Sequence, residues 1–167
     1  MNDNFFGDAD YKLPETGNYM KFNEGENVFR ALSSAVVGYE YFTNENKPVR
    51  SKEMFDVIPS DMKKDGQIKH FWAFVVYNES AKRIQVLEIT QKSIMTTMQA
   101  YIKNPKWGSP KEYDFIVSKK GSGLDTEYAV SVNPKAPISP EVTKKFESMQ
   151  IDLNALFIGA DPFSIDK

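Results

Sequence analysis

Between Val28 and Val132 the apolar positions mostly recur with a period of two, the signature of strands, and switch once to helical spacing. The spacing predicts strands over Val28-Phe-Arg-Ala-Leu32, Val36 to Phe42, His70 to Tyr77, Ile84 to Ile89, Tyr113 to Ser118 and Tyr128 to Val132. Asn78 to Arg83 joins the third and fourth as a hairpin, and Lys119 to Thr126 forms the tip of the last one. Between these two hairpins, Ile94, Met98 and Tyr101/Ile102 form one helical stripe with Met95 at its edge. Thr90 is the expected N-cap of this helix, and Asn104-Pro105 stops it.

The flanks read differently. Residues 1–17 are an expected loose acidic arm, with a short ordered element around Asn18 to Phe22. Residues 44–69 are polar and rich in Lys, so a long cationic loop is expected there. Pro134, Pro137 and Pro140 end the β region, and residues 135–167 read as a short helix from Ser139 to about Met149 and an apolar-acidic tail. The expected domain is therefore 18–134. Its fold class is mainly β (α+β): a five- to six-stranded OB-type barrel with one capping helix and a short C-terminal helix.

Charge refines this picture. The 167 residues hold 21 basic and 23 acidic side chains, net −2, so no global field draws the protein to a polyanion. The distribution is uneven: residues 1–27 sum to −4, residues 28–120 to +5 and residues 121–167 to −3. A basic middle flanked by acidic ends is hidden by the whole-chain balance.

Absent residue types narrow the chemistry. There is no cysteine, and His70 is the one histidine, so disulfides, thiolate metal sites, His-based metal clusters and a Ser-His-Asp triad have no parts. Neither metal nor cofactor is expected. The run Lys119-Lys-Gly-Ser-Gly123 lacks the Gly-Lys-Ser/Thr ending of a phosphate loop and no helix is expected after it. Asp114, Asp125 and Glu127 are the members of a conceivable metal-dependent nuclease cluster, though a solvent face of the hairpin accounts for them better. No apolar run approaches the roughly 18 residues needed to cross a bilayer, and a soluble, cytoplasmic, non-enzymatic protein is the expectation.

What remains is a combination of rings and cations. On His70 to Tyr77, alternation puts Trp72, Phe74 and Val76 on one face and Phe71, Ala73, Val75 and Tyr77 on the other. On the second strand, Tyr39 and Tyr41 share a face with Val37. Aromatic and basic side chains on the same strands suit single-stranded nucleic acid, whose bases stack on rings while cations follow the phosphates. Tyr39, Tyr41, Trp72, Phe74 and Trp107 are the stacking candidates. Arg30, Lys47, Arg50, Lys69, Lys82, Arg83, Lys119 and Lys120 are the phosphate candidates. Ordinary structure competes with each: a strand aromatic fills a core, Trp107 packs over a helix end, and charged loop tips are merely solvated. Truncation separates the two, since a core aromatic cut to Ala costs roughly 3–5 kcal/mol of stability, whereas a stacking aromatic costs about 1–3 kcal/mol of binding. The rival from another class is an OB-like protein-interaction or assembly module whose aromatic face is an interface.

Several stretches together resemble one family. Asn18-Tyr-Met-Lys-Phe-Asn-Glu-Gly25, Arg30-Ala-Leu32, Val37-Gly-Tyr-Glu-Tyr-Phe42, Lys47-Pro-Val-Arg50, Lys69-His-Phe-Trp-Ala-Phe-Val-Val-Tyr77, Ile84-Gln-Val-Leu-Glu-Ile-Thr-Gln91, Trp107-Gly108, Tyr113-Asp114 and Gly121-Ser-Gly-Leu-Asp-Thr-Glu-Tyr128 are similar to phage-type single-stranded DNA-binding proteins over roughly residues 18–134. The resemblance implies an OB-fold core that coats single strands, DNA rather than RNA, during replication and recombination without catalysis. It also implies departures. Some relatives hold a structural zinc through Cys and His, ligands this chain lacks, and some use a basic N-terminal arm where this one is acidic. Asp161-Pro-Phe163 is faintly similar to acidic Pro-Phe tails that recruit partners, but Ser-Ile-Asp-Lys follows it here. The acidic C-terminal segment is expected to recruit replication or recombination proteins, or to shield the groove when DNA is absent.

Overall fold

The computed structural model describes residues 17–163, so the expected acidic arm, but for Gly17, lies outside the described residues. Among them the alternating segments become seven strands: β1 (Gly25–Ala31), β2 (Val36–Phe42), β3 (Pro48–Ser51), β4 (Lys69–Asn78), β5 (Arg83–Ile89), β6 (Asp114–Lys120) and β7 (Glu127–Val132). Helix α1 (Lys92–Lys103) lies between β5 and β6. Helix α2 (Pro140–Met149) and a 3-10 segment, Leu153–Ile158, follow β7.

All strand pairs are antiparallel and belong to one sheet, in the order β3-β2-β4-β1-β6-β7 with β5 on the other edge of β4. One edge of β4 pairs with β5 from Trp72 to Asn78. The opposite edge pairs with β2 (Val36↔Ala73 to Glu40↔Lys69) and then with β1 (Phe29↔Asn78 to Ala31↔Val76). β1 and β2 thus behave as one long strand broken at residues 32–35. The break is stitched to β4 by the Leu32 N–H donating to Val75 O (2.8 Å) and by the Val75 N–H donating to Ser33 Oγ (2.9 Å).

The sheet is open, and this corrects the expected closed barrel. β5 and β7 do not pair. Instead residues 18–20 lie along the free edge of β5, with Met20 N donating to Val86 O (2.9 Å) and Val86 N to Asn18 O (2.8 Å). Phe22 then meets the Tyr128 ring of β7 at 6.1 Å, so the N-terminal segment fills the seam that strand pairing leaves. Two smaller expectations also change. β3 lies inside the stretch read as loop, because four residues are too few to display alternation. Gln91, not Thr90, holds the N-cap position of α1, without a side-chain cap.

Both faces of β4 are covered. Phe74 and Val76 face α1 and join Phe29, Leu87, Ile89, Ile94, Met98, Tyr113 and Phe115 in one core, with Trp72 and Trp107 packed at its margin. Phe71, Ala73 and Val75 face the other way and form a second core with Ile84, Val86, Leu153 and Leu156. The second core exists because residues 140–163 fold back over the sheet as a packed layer. Ser139 starts α2 by accepting from Glu141 N (3.2 Å), with Pro140 in the first turn where a missing N–H costs nothing. In the first core the Tyr113 hydroxyl is buried among rings and has no hydrogen-bond partner among the described residues.

Candidate nucleic-acid interface

The layered face of β2, β4 and β5 divides into an apolar half and a polar half. Residues of one parity, Val36, Gly38, Glu40 and Phe42 on β2, share this face with Lys69, Phe71, Ala73 and Val75 on β4 and with Ile84, Val86 and Glu88 on β5, as the cross-strand register requires. Over the apolar half, Phe157 of the C-terminal layer lies on Phe71 at 5.9 Å, and Lys52 Nζ lies 5.5 Å from the Phe157 ring. Gly38 makes room for this: a Cβ there would stand 2.8 Å from Phe157 Cε1 and 2.4 Å from Ser51 O. The layer ends with Phe163 edge-on to Tyr19 at 6.3 Å.

At the border between the halves sits a charged group. Arg50 on β3 is opposite Glu40 in the β2–β3 register, and its Nε donates to Glu40 Oε1 (3.2 Å) and Glu88 Oε2 (2.8 Å). Its guanidinium also lies 5.8 Å from the Phe71 ring centre. One arginine cannot balance two ionised carboxylates in so little water. Burial, followed by repulsion from Glu88 and a hydrogen bond with it, pushes the Glu40 carboxyl up to about 8 despite Arg50. Glu40 therefore favours its protonated form at neutral pH.

Beyond this border the face opens into a cleft of about 570 Å³, floored by Glu40 and Glu88 and walled by Phe42, Asn46, Lys63, Gln67, Lys69 and Thr90. Phe42 is 42% exposed, enough for one ring face to meet a ligand. Lys63 and Lys69 are exposed, and Lys63 is held in place by its backbone N–H donating to Phe42 O (2.7 Å). A flat aromatic surface, two exposed lysines and a polar floor in one concavity fit a nucleotide: base against the ring, phosphate against the lysines.

The residues singled out from the sequence fall into three groups. Buried ones come first: Phe74 is 2% exposed in the first core, Tyr41 is buried with its hydroxyl donating to Asp61 (2.9 Å), and Arg30 is buried with Nε on Asp114 (2.8 Å). Trp72 lines a separate apolar cavity of about 310 Å³ beside α1, and Trp107 packs edge-on to Tyr101 at 5.5 Å past the helix end. Near the cleft lie Lys69 in its wall, Arg50 bound to the Glu40 and Glu88 of its floor, and Lys47 in the exposed β2–β3 turn, whereas half-buried Tyr39 belongs to the opposite face of β2, tilted on His70 at 5.1 Å. Elsewhere, Lys82 pairs with Glu79 (2.6 Å) and Arg83 is likewise engaged, both at the far end of β4, roughly 30 Å of strand from Lys69. Lys119 donates to Phe22 O (3.4 Å), and Lys120 is exposed at the last hairpin. Asp114 is committed to Arg30, and among the described residues no cluster of three or more metal-ligating side chains occurs.

Phe42 and Lys63 are the cleft residues that sequence reasoning passed over. The signal for Phe42 was its parity with Glu40; Lys63 stood in a lysine-rich loop with nothing to separate it from Lys64.

No family model matches the chain and no solved structure matches it. The chain is similar to the probable ssDNA-binding protein of Escherichia phage T5, with 28% identity over 139 aligned residues that cover 67% of this chain and 53% of that protein. The chain thus spans about half the length of the curated relative it matches. The motif resemblance to phage single-stranded DNA-binding proteins meets a relative of that name.

Proposed function

We propose that the protein binds single-stranded DNA along the open half of the β2–β4–β5 face, chiefly through ring stacking and phosphate contacts, in phage-type replication or recombination within the host cytoplasm. The observation that carries this is the cleft, where Phe42 offers a stacking surface in the same concavity as Lys63 and Lys69. The phage T5 relative supports the same ligand. The connectivity supports an OB-type reading: a long broken strand (β1–β2), the β4–β5 hairpin, a helix, then the β6–β7 hairpin, with residues 18–22 in the unpaired seam. In this reading Lys47 and Lys69 from the sequence-based set serve the site, joined by Phe42 and Lys63, with Arg50 holding Glu40 and Glu88 beneath it. Replication or recombination proteins are the proposed partners, and no catalytic step is assigned.

One feature favours contact with another protein instead. Val57 and Ile58 are 76% and 79% exposed on the loop beside the cleft. A single titration decides between the readings: anisotropy of a fluorescein-labelled dT oligomer of roughly 20–30 nucleotides at two salt concentrations, with duplex as competitor. Single-strand binding has a log–log salt slope of about −0.7 per phosphate neutralised, hence about −2 for contacts by Lys47, Lys63 and Lys69. Binding that duplex removes, or none at low salt, refutes the proposal and leaves the exposed loop as the functional surface.

A further inference from the structure

The other face of β2 and β4 carries a stripe of rings that the cleft does not use. Tyr39 stands opposite His70 and Val37 opposite Trp72 in the β2–β4 register, so all four side chains share the α1 side of the sheet. The Tyr39 and His70 rings are 5.1 Å apart, His70 is exposed and Trp72 is half-buried. Beyond Trp72 the stripe opens into the apolar cavity of about 310 Å³, whose far wall is Met98, Gln99, Ile102 and Lys103 of α1. The break between β1 and β2 explains the space. Ala31, Ser33, Ser34 and Ala35 line it there, and none is large enough to fill the gap between Trp72 and the helix. The rim is open, with Val37 48% and Ile102 39% exposed. Among the described residues Lys103 is the one charged side chain in the lining. At the other end of the stripe stands Lys69. It and His70 are exposed neighbours with side chains on opposite faces, and β5 pairs with β4 only from Trp72 onward.

Resting on the single-strand reading of the cleft, we infer that this cavity is a second nucleotide subsite on the opposite face of the sheet. The strand leaves the cleft around the start of β4, crosses the Tyr39–His70 pair and inserts one base against Trp72. Lys103 at the rim takes the phosphate beside that base. The cavity lies at the small end of ligand sites, enough for one ring system and too small for a base pair, so it excludes duplex. Stacking needs only a π-face, so the subsite accepts any base. Charge complementarity selects this occupant. Cations mark both ends of the stripe, at Lys69 and Lys103, and no carboxylate lines the cavity among the described residues. A lone apolar side chain of another protein would fill the cavity but leave both lysines unused.

The test irradiates the full wild-type chain bound to dT oligomers of about 20 nucleotides that carry 5-iodo-2′-deoxyuridine at single positions. Iodouracil joins to an aromatic side chain it stacks on, and mass spectrometry maps the adduct without any variant having to fold. Adducts are expected at Trp72, with Tyr39 or His70 on the way to it, as well as at Phe42. A second arm reads charge. Lys103→Gln, at an exposed position, is expected to make the log–log salt slope shallower by about 0.7, the share of one phosphate contact. Adducts confined to Phe42 overturn the inference in favour of a protein side chain as occupant, and a slope unchanged by Lys103→Gln overturns it as well. Both results leave the cleft reading intact. Failure of the dT oligomer to bind at low salt overturns the single-strand reading itself.

Discussion

Leu156→Ala tests whether the C-terminal layer is part of the folded body or a detachable cover. Leu156 is 3% exposed and packs in the core that holds Phe71, Val75 and Val86. A Leu→Ala change at such a site costs about 2–5 kcal/mol, which for a chain of this length lowers Tm by roughly 4–20 °C. The assay exploits the placement of the tryptophans. Trp72 and Trp107 pack against the other core, on the α1 side of the sheet, so their fluorescence reports the body and not the layer. If the layer is integral, the urea midpoint read by tryptophan falls together with the midpoint read by far-UV circular dichroism, at unchanged slope. A tryptophan midpoint equal to wild type, beside an earlier loss of helical signal, refutes this and makes residues 140–163 a separate unit. The outcome governs how the shielding idea is tested. Deleting residues 139–167, the direct test of shielding, would strip the cover from Phe71, Ala73, Val75 and Val86. Tighter DNA binding by that truncation is interpretable only if the body survives the loss.

Two further outcomes follow from buried polar groups. Glu40 is held near 8 against an ordinary value of 4.5, so the folded state binds more protons than the unfolded one between these limits. Its contribution is present below 4.5 and is lost as pH rises toward 8, by at most about 1.4 kcal/mol per pH unit. Glu40→Gln should flatten the fall in Tm over this window, and an unchanged slope would assign the fall to other groups. Tyr113→Phe removes a buried hydroxyl that has no partner among the described residues, so it should leave stability unchanged or raise it by about 1 kcal/mol in chemical denaturation; a loss larger than that would mean the hydroxyl is hydrogen-bonded in solution.

The elements were legible where period and length agreed. The six alternating segments became strands, and the Ile94–Met98 stripe became α1, because each buries its apolar residues locally on one neighbouring layer. Closure was not legible. Whether β5 and β7 zip together depends on what competes for their edges, and residues 18–20 take the β5 edge with backbone hydrogen bonds that carry no side-chain signature. Arg30 fails as a sequence-based phosphate ligand for a similar reason. Its partner Asp114 is 84 residues away, and only the β1–β6 register brings the two opposite each other.

The aromatic richness of β4 also needs a different explanation from the one its composition invites. A strand with one wet face alternates, whereas a strand covered on both faces is apolar throughout. Phe71 to Val76 is such a run, and its second cover comes from Leu153 and Leu156, about 80 residues downstream, where the sequence displays only a short apolar segment. The rings that drew attention are thus mostly consumed by two cores. The surface left for a ligand lies where β4 begins, at Lys69, and where β2 ends, at Phe42, beyond the reach of both layers. There the side chains are few and mixed in charge, and what marks them as a site is their convergence on one cleft. Convergence is a property of register and loop path, which strand composition does not display.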